Sequence, residues 1–271
     1  PPVGTALTTE VGSVEKLTSR LQQRLDLWNT ARSQWPEAQM RVLFSDPGDG
    51  WAVVNKPPGM HTSPCGFNKR HLTFEAYLPA LLPPPSHRAP RRCPGACHRL
   101  DFRVGGPVVV ATSEEAMRAI NALFEQRRVY KEYRAIVCGH VGEPGEAFSV
   151  EAPLDGVPAR TDIEVLQTVP SLRFGALSEL ALRPLQGRFR QLRRHCAEVL
   201  GAPIVNEDQV LFEAAAPAWQ RRHARPLPRR ERKGRELFLQ AVEVALPRPF
   251  AVDREPVAVR AEVSTRFAQV L

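Results

Sequence analysis

Val129-Tyr-Lys-Glu-Tyr-Arg-Ala-Ile-Val-Cys138 is the stretch on which the fold reading turns. With a period of two, Lys131, Tyr133, Ala135 and Val137 share one face of a strand. Just before it, Pro107-Val-Val-Val-Ala111 reads as a short buried strand. Thr112 and Glu115 then predict a capping box for a helix that turns Ala116, Ile120, Leu123 and Phe124 inward. Further upstream, Arg41-Val-Leu-Phe44, a turn through Asp46 to Gly50, and Trp51 to Asn55 predict a hairpin closed by Lys56-Pro-Pro-Gly59. A helix is expected over Leu72 to Leu82, stopped by Pro83-Pro84-Pro85. Downstream, strands are expected near 161–166 and 178–183, a helix over 189–200 with Phe189, Leu192, Cys196 and Val199 as its apolar stripe, and a last strand from Glu236 to Leu246. Strands and helices do not alternate in βαβ order, so an α+β fold is predicted, built on a mixed, mostly antiparallel sheet flanked by helices.

Around this core, residues 1–40 read as an N-terminal helical extension, with Val14, Leu17, Leu21, Leu25 and Trp28 at helical spacing over 13–34. Residues 41–250 form the main domain and 251–271 a C-terminal tail. Two stretches rich in Arg and Pro, 83–95 and 213–235, are expected to be exposed basic loops. Lys and Arg number 37 against 29 Asp and Glu, a net charge of +8, which favours a polyanionic partner such as nucleic acid. Five cysteines without disulfide-framework spacing suit a reducing intracellular compartment. Cys93, Cys97 and His98 miss the zinc and haem spacings, so no metal is expected. No run of about 18 apolar residues occurs, and no membrane partner is expected. The chain starts at Pro1 without a Met, which leaves an organelle such as the mitochondrial matrix open beside bacterial and nuclear homes.

Three constellations could carry chemistry. Cys97-His98-Arg99-Leu100-Asp101, followed by Gly105-Gly106, sets a carboxylate between apolar stretches just before a buried strand. Desolvated alone, such a carboxylate would gain a proton, so it needs a cationic partner. The plain structural alternative is an Asp paired with Arg99. Gly187-Arg188-Phe-Arg190-Gln191-Leu192-Arg193-Arg194-His195 concentrates guanidiniums at an expected helix start, where they could bind phosphates or supply that partner. The alternative here is a solvated basic face. Lys131 and Tyr133 set an ammonium beside a phenol whose ring could stack on a base, although half-buried tyrosines are common in any sheet.

Taken in order, these segments resemble the RluA-type family of RNA pseudouridine synthases. Val53-Val54-Asn55-Lys56-Pro57 with Gly59 resembles the family's early strand and turn, and His98-Arg-Leu-Asp101 its HRLD motif. Lys131-Glu-Tyr133 with Ala135 and Gly139 resembles its KxYxAxxxG strand. Gly187-Arg188, Gln191-Leu192-Arg193 and His195 resemble its GRTHQLRxH segment, and Gly201 to Val205 and Leu237 to Ala241 match later stretches. The resemblance implies a synthase-like domain with a central cleft and an isomerisation of uridine that uses neither cofactor nor metal. On these positions Asp101 would be the nucleophile, or the base that starts glycal formation. Arg193 would be its charge partner, and Tyr133 would stack on the flipped base and could take the C5 proton. His98, Arg99, Lys131, Arg188, Gln191 and Leu192 would hold RNA or order the loop. The implied partner is RNA, either rRNA or tRNA, in a ribosomal assembly or free of one.

The departures from the pattern are specific. Val104-Gly105-Gly106 stands where Thr-Ser-Gly is usual, Phe189-Arg190 where Thr-His is usual, Asn206-Glu207 where Gly-Asp is usual, and Gln240 where His is usual. The two lost hydroxyls keep a second reading open, a catalytically idle RNA-binding or ribosome-assembly factor on the same fold. A third, glycoside hydrolysis by paired carboxylates, lacks a second acid in the motif set.

Overall fold

The structure, a computed structural model, describes residues 40–64, 73–215, 237–251 and 254–271. The helix expected over 13–34 and nearly all of the basic stretch 213–235 lie outside the described residues. Among the described residues, two antiparallel sheets carry the fold. In the smaller, β1 (Val42–Asp46) and β2 (Trp51–Lys56) form the expected hairpin, followed in space by β4 (Gly106–Ser113) and, at the edge, β3 (Pro90–Ala96). Every residue of β4 is buried, because both faces of the strand are covered, which is why its sequence is a continuous apolar run rather than an alternating one.

β3 corrects the expectation of a loop across 83–95. Its prolines, Pro90 and Pro94, hide it from a sequence reading, yet an edge strand tolerates their missing N–H groups, and the register breaks between Pro90 and Gly95. After β4, α2 (Glu114–Glu125) is capped by Ser113 rather than by Thr112, with the Ser113 hydroxyl accepting from the Ala116 N–H. Ala116, Ile120 and Leu123 face inward as expected. The helix α1 (Phe74–Leu81) packs Phe74, Tyr77 and Leu78 into the core.

The larger sheet has the order β10-β9-β5-β8-β7-β6, with β5 (Tyr130–Cys138), β6 (Ala147–Glu151), β7 (Arg160–Ser171), β8 (Gly175–Pro184), β9 (Leu239–Leu246) and β10 (Val257–Arg260). Residues 251–271 do not simply trail the domain. They supply β10, paired to β9, and α4 (Thr265–Val270), whose Phe267 ring meets that of Phe238 at 5.6 Å.

The expected helix over 189–200 also differs. A short α3 (Gln191–Arg194) passes into a π-helical turn over 195–199, closed by the Leu200 N–H donating to the His195 carbonyl at 3.1 Å. Leu192 and Cys196 are buried, whereas Phe189 is 63% exposed and Val199 49%. The turn carries the buried His195, whose two ring nitrogens are both engaged, as described below.

The two sheets meet where β4 passes β9. The Ala241 N–H donates to the Gly105 carbonyl at 2.9 Å, and a Cβ on Gly106 would come within 2.2 Å of the Ala241 carbonyl oxygen. Gly106 also has φ +131°, so glycine is required on two counts. This crossing sets the loop before β4, which carries Asp101, beside the middle of β5 and the segment after β8.

Candidate active site

Asp101 lies on the loop between β3 and β4, and that loop is clamped from several sides. The Thr62 hydroxyl donates to the Leu100 carbonyl at 3.0 Å and accepts from the Leu100 N–H at 3.1 Å. The Gly59 N–H donates to the Phe102 carbonyl at 2.7 Å, and Arg103 donates to the Asn206 carbonyl at 2.6 Å. Asp101 itself is part-buried. Beneath it, Lys56 is fully buried, its Nζ donating to the carbonyls of Pro57 at 2.9 Å and Met60 at 2.8 Å. Burial lowers the Lys56 pKa to about 7, with the nearby Asp101 charge acting in the opposite sense.

Arg193, on α3, is the cation that the carboxylate requires. Its Nη1 donates to Asp101 Oδ2 at 3.2 Å. The same guanidinium serves two more carboxylates: Nε donates to both Glu207 oxygens at 3.1 and 3.0 Å, and Nη2 donates to Glu207 and, at 2.8 Å, to Asp208. The Glu207 side chain is 0% exposed and that of Arg193 7%, so the Arg193–Glu207 fork is the buried part of the cluster. Burial works against the Arg193 charge, but the Glu207 hydrogen bonds and the three carboxylate charges more than offset it and hold its pKa above the ordinary arginine value. Asp208 has a second cation, Arg190, at 3.4 Å. Glu207 and Asp208 were not among the expected site residues. The available signal was a pair of acids in an otherwise apolar stretch, since buried acids need a nearby guanidinium.

A cleft of about 670 Å³ opens over Asp101. Lys131 and Tyr133 of β5 and Leu239 of β9 form one wall, and residues 184–193 form the other. Arg99 lies on the rim, exposed. Burial, reinforced by the Asp101 charge, raises the Tyr133 pKa far above that of a free phenol, so the ring is neutral. Lys131 donates to the Gln186 carbonyl at 3.3 Å, and burial lowers its pKa to about 8.

The cleft therefore gathers Asp101, Arg193, Tyr133, Lys131, Arg99 and Arg188. Three others that line it have their polar or apolar groups committed within the protein. His98 Nε2 accepts from the Val109 N–H at 3.0 Å, and burial depresses the ring's pKa to about 3. Gln191 is buried: its Nε2 donates to the Arg160 carbonyl at 2.9 Å and the Thr161 hydroxyl at 3.1 Å, and its Oε1 accepts from the Arg188 N–H at 3.0 Å. Leu192 is buried at 7% exposure, in the core.

His195 extends this internal network. Its Nε2 donates to the Ala152 carbonyl at 3.1 Å, which leaves Nδ1 to accept from the Thr161 hydroxyl at 2.9 Å. A carbonyl can only accept, so this pairing selects the Nε2–H tautomer. Gln191 and His195 thus fix α3 against β7 and aim Arg193 at Asp101.

Two departures from the motif pattern are accommodated by backbone geometry. Asn206 has φ +68°, the left-handed conformation that a glycine adopts freely and Asn tolerates better than most residues. A Cβ at Gly105 would stand 2.9 Å from Pro58 Cδ and 3.2 Å from the Lys56 carbonyl oxygen, so the neighbouring turn leaves no room for a side chain there.

The family profile described as RNA pseudouridylate synthase matches residues 50–198, which include the Asp101 loop, β5 and α3. The chain belongs to the RNA pseudouridylate synthase family. A Chloroflexus aurantiacus protein named as an uncharacterized RNA pseudouridine synthase is 35% identical over 167 residues, covering 56% of this chain and 49% of that one. The dual-specificity RNA pseudouridine synthase RluA of Escherichia coli K12 is 29% identical over 200 residues, covering 68% of this chain and 80% of its own. RNA pseudouridylate synthase domain-containing protein 1 of mouse is 33% identical over 129 residues, 42% of its length. The chain thus spans less than half of the Chloroflexus and mouse family members it matches. Among solved structures, human RNA pseudouridylate synthase domain-containing proteins 4 and 1 share the fold, with TM-scores of 0.62 and 0.57 at 21% and 23% identity. They cover 92% and 83% of this family member, and 95% and 84% of their own chains are covered in turn.

Proposed function

We propose that this protein isomerises uridine to pseudouridine in RNA, with Asp101 as the reacting carboxylate, Arg193 as its charge partner and Tyr133 as the ring against which the extruded base stacks. The observation that carries the reading is the 3.2 Å Arg193–Asp101 ion pair at the floor of a cleft walled by Tyr133 and Lys131. Asp101 acts at the ribose, either by adding to C1′ or by removing a C2′ proton to give a glycal. In either case the C1′–N1 bond breaks and a C1′–C5 bond forms. The proton lost from C5 is matched by one taken up at N1, so the product is an isomer of the substrate and the atoms balance without a cofactor. A neutral Tyr133 phenol suits stacking better than proton abstraction, since a general base must first be deprotonated.

The substrate uridine is drawn from folded RNA, rRNA or tRNA, and must be turned out of its stack, at a cost of a few kcal/mol repaid by contacts in the cleft. Exposed Arg99 and Arg188 on the rim supply phosphate contacts. Within this reading the internally bonded His98 and Gln191 and the core-packed Leu192 position the loop and α3 rather than touch RNA. RNA carrying tritium at uridine C5 tests the proposal: wild-type protein should release tritium to water. Tight RNA binding with no release from any host RNA would instead favour an assembly factor on this fold.

A further inference from the structure

Phe189 and Arg190 replace the Thr-His of the family segment, and the structure gives that pair a distinctive setting. Phe189 is 63% exposed at the cleft mouth, although an aromatic ring is normally among the most buried of side chains. The loop that presents it is held in place: the Arg188 N–H donates to buried Gln191 at 3.0 Å and Arg188 Nε to the Pro158 carbonyl at 3.3 Å. Arg190 adopts the left-handed conformation, φ +52°, its guanidinium 5.1 Å from the Phe189 ring centroid and 3.4 Å from Asp208. A Cβ on nearby Gly187 would meet nothing within 4 Å, so the start of this loop borders open space. The cleft lining carries Arg99, Arg127, Lys131, Arg188, Arg190 and Arg193 against the acids Asp101 and Glu125, and the balance stays positive when Glu207 and Asp208, which pair with Arg193 and Arg190, are included.

We infer that Phe189 and Arg190 form a clamp for the nucleotide flanking the target uridine, the ring stacking on its base and the guanidinium meeting its phosphate. The inference rests on the synthase reading and extends it to the RNA outside the catalytic centre. An exposed ring among cations matches a partner with flat aromatic faces and regularly spaced negative charge, which describes unpaired RNA. Because the loop beside the ring is anchored through Arg188, binding loses less backbone freedom than an untethered loop would. The Asp208 contact turns Arg190 beside the ring and, being part-exposed, can yield to a phosphate.

The test measures binding of two fluorescent probes of equal charge, a short oligouridylate and the same ribose-phosphate chain without bases. The wild type should prefer the oligouridylate. Phe189→Ala should weaken that binding about tenfold or more while leaving the baseless probe unchanged, so that only the part of the preference due to Tyr133 remains, while Phe189→Trp retains the full preference. Arg190→Ala should weaken both probes alike and reduce the salt slope by about 0.7. If Phe189→Ala keeps the wild-type preference, or loses melting temperature without losing it, the ring covers protein rather than RNA and the clamp is wrong. Tritium release by the wild type in the same preparation keeps that failure distinct from failure of the synthase reading itself.

Discussion

Removing the Arg193 guanidinium should destabilise the protein before it is ever tested for activity. In Arg193→Ala the Glu207 carboxylate, 0% exposed, is left without its forked partner, and this is the dominant loss. Asp101 and Asp208, 26% and 29% exposed, keep partial hydration and add less. Breaking a buried pair by deleting one partner costs about 3–5 kcal/mol, against a typical domain stability of about 5–15 kcal/mol. For a domain of this size that is a fall in melting temperature of roughly 6–20 °C. Urea unfolding followed by circular dichroism measures it. The double variant Arg193→Met, Glu207→Leu should recover most of the stability, because the buried charge goes with its partner. It should not recover turnover, since Asp101 stays unpaired. A loss below about 1 kcal/mol in Arg193→Ala would mean that Glu207 finds water or another cation, and the buried-fork argument would fail.

The other predictions concern the frame around the site. With a Lys56 pKa of about 7 folded and an ordinary value of 10.5 unfolded, the unfolded chain binds a proton that the folded one has lost. Wild-type stability relative to Lys56→Met should therefore rise with pH across that window, by up to about 1.4 kcal/mol per unit, and fall as pH drops to 7; urea midpoints at several pH values would show a flat difference if Lys56 stays charged. Gly106→Ala should fail to give soluble protein, because its Cβ meets the Ala241 carbonyl, and well-folded Gly106→Ala would refute the sheet crossing. Gly105→Ser, which restores the hydroxyl usual in the family, should destabilise the protein, and Pro58→Ala should recover only part of the loss because the Lys56 carbonyl stays 3.2 Å from the new Cβ, as paired thermal melts would reveal. Thr161→Val removes the hydroxyl shared by Gln191 and His195 and should lower stability by about 1–3 kcal/mol, with a loss under 0.5 kcal/mol counting against the network.

In Tyr130–Cys138 the period of two placed Lys131 and Tyr133 on one face, and both line the cleft, although burial does not alternate because Ala135 to Cys138 are all covered; β4 was legible because a strand covered on both faces reads as an apolar run. β3 was hidden, since its prolines read as loop and only its place at an edge makes them acceptable. Phe189 and Val199 fit a helical stripe by spacing, but the chain turns through left-handed Arg190 and a π-helical turn, which leaves both outside the core. Asp101, Tyr133 and Arg193, which the structure brings to one cleft, were singled out through their motifs, and the need of a buried carboxylate for a cation pointed to an Arg. That this Arg answers to Glu207 and Asp208 as well, or that His98 spends its ring on the Val109 N–H, depends on how separate elements fold back on one another, not on any helical or strand period. Local pattern carries no record of such contacts.

The most direct test of the central claim is tritium release from C5-labelled uridine in host RNA by the wild type and by Asp101→Asn, with RNA binding measured on both. Asparagine keeps the shape of the side chain and removes the charge that Arg193 faces at 3.2 Å. Release by the wild type that disappears in Asp101→Asn, with binding retained, is the predicted result. Equal release from both proteins would contradict the assignment of the chemistry to Asp101.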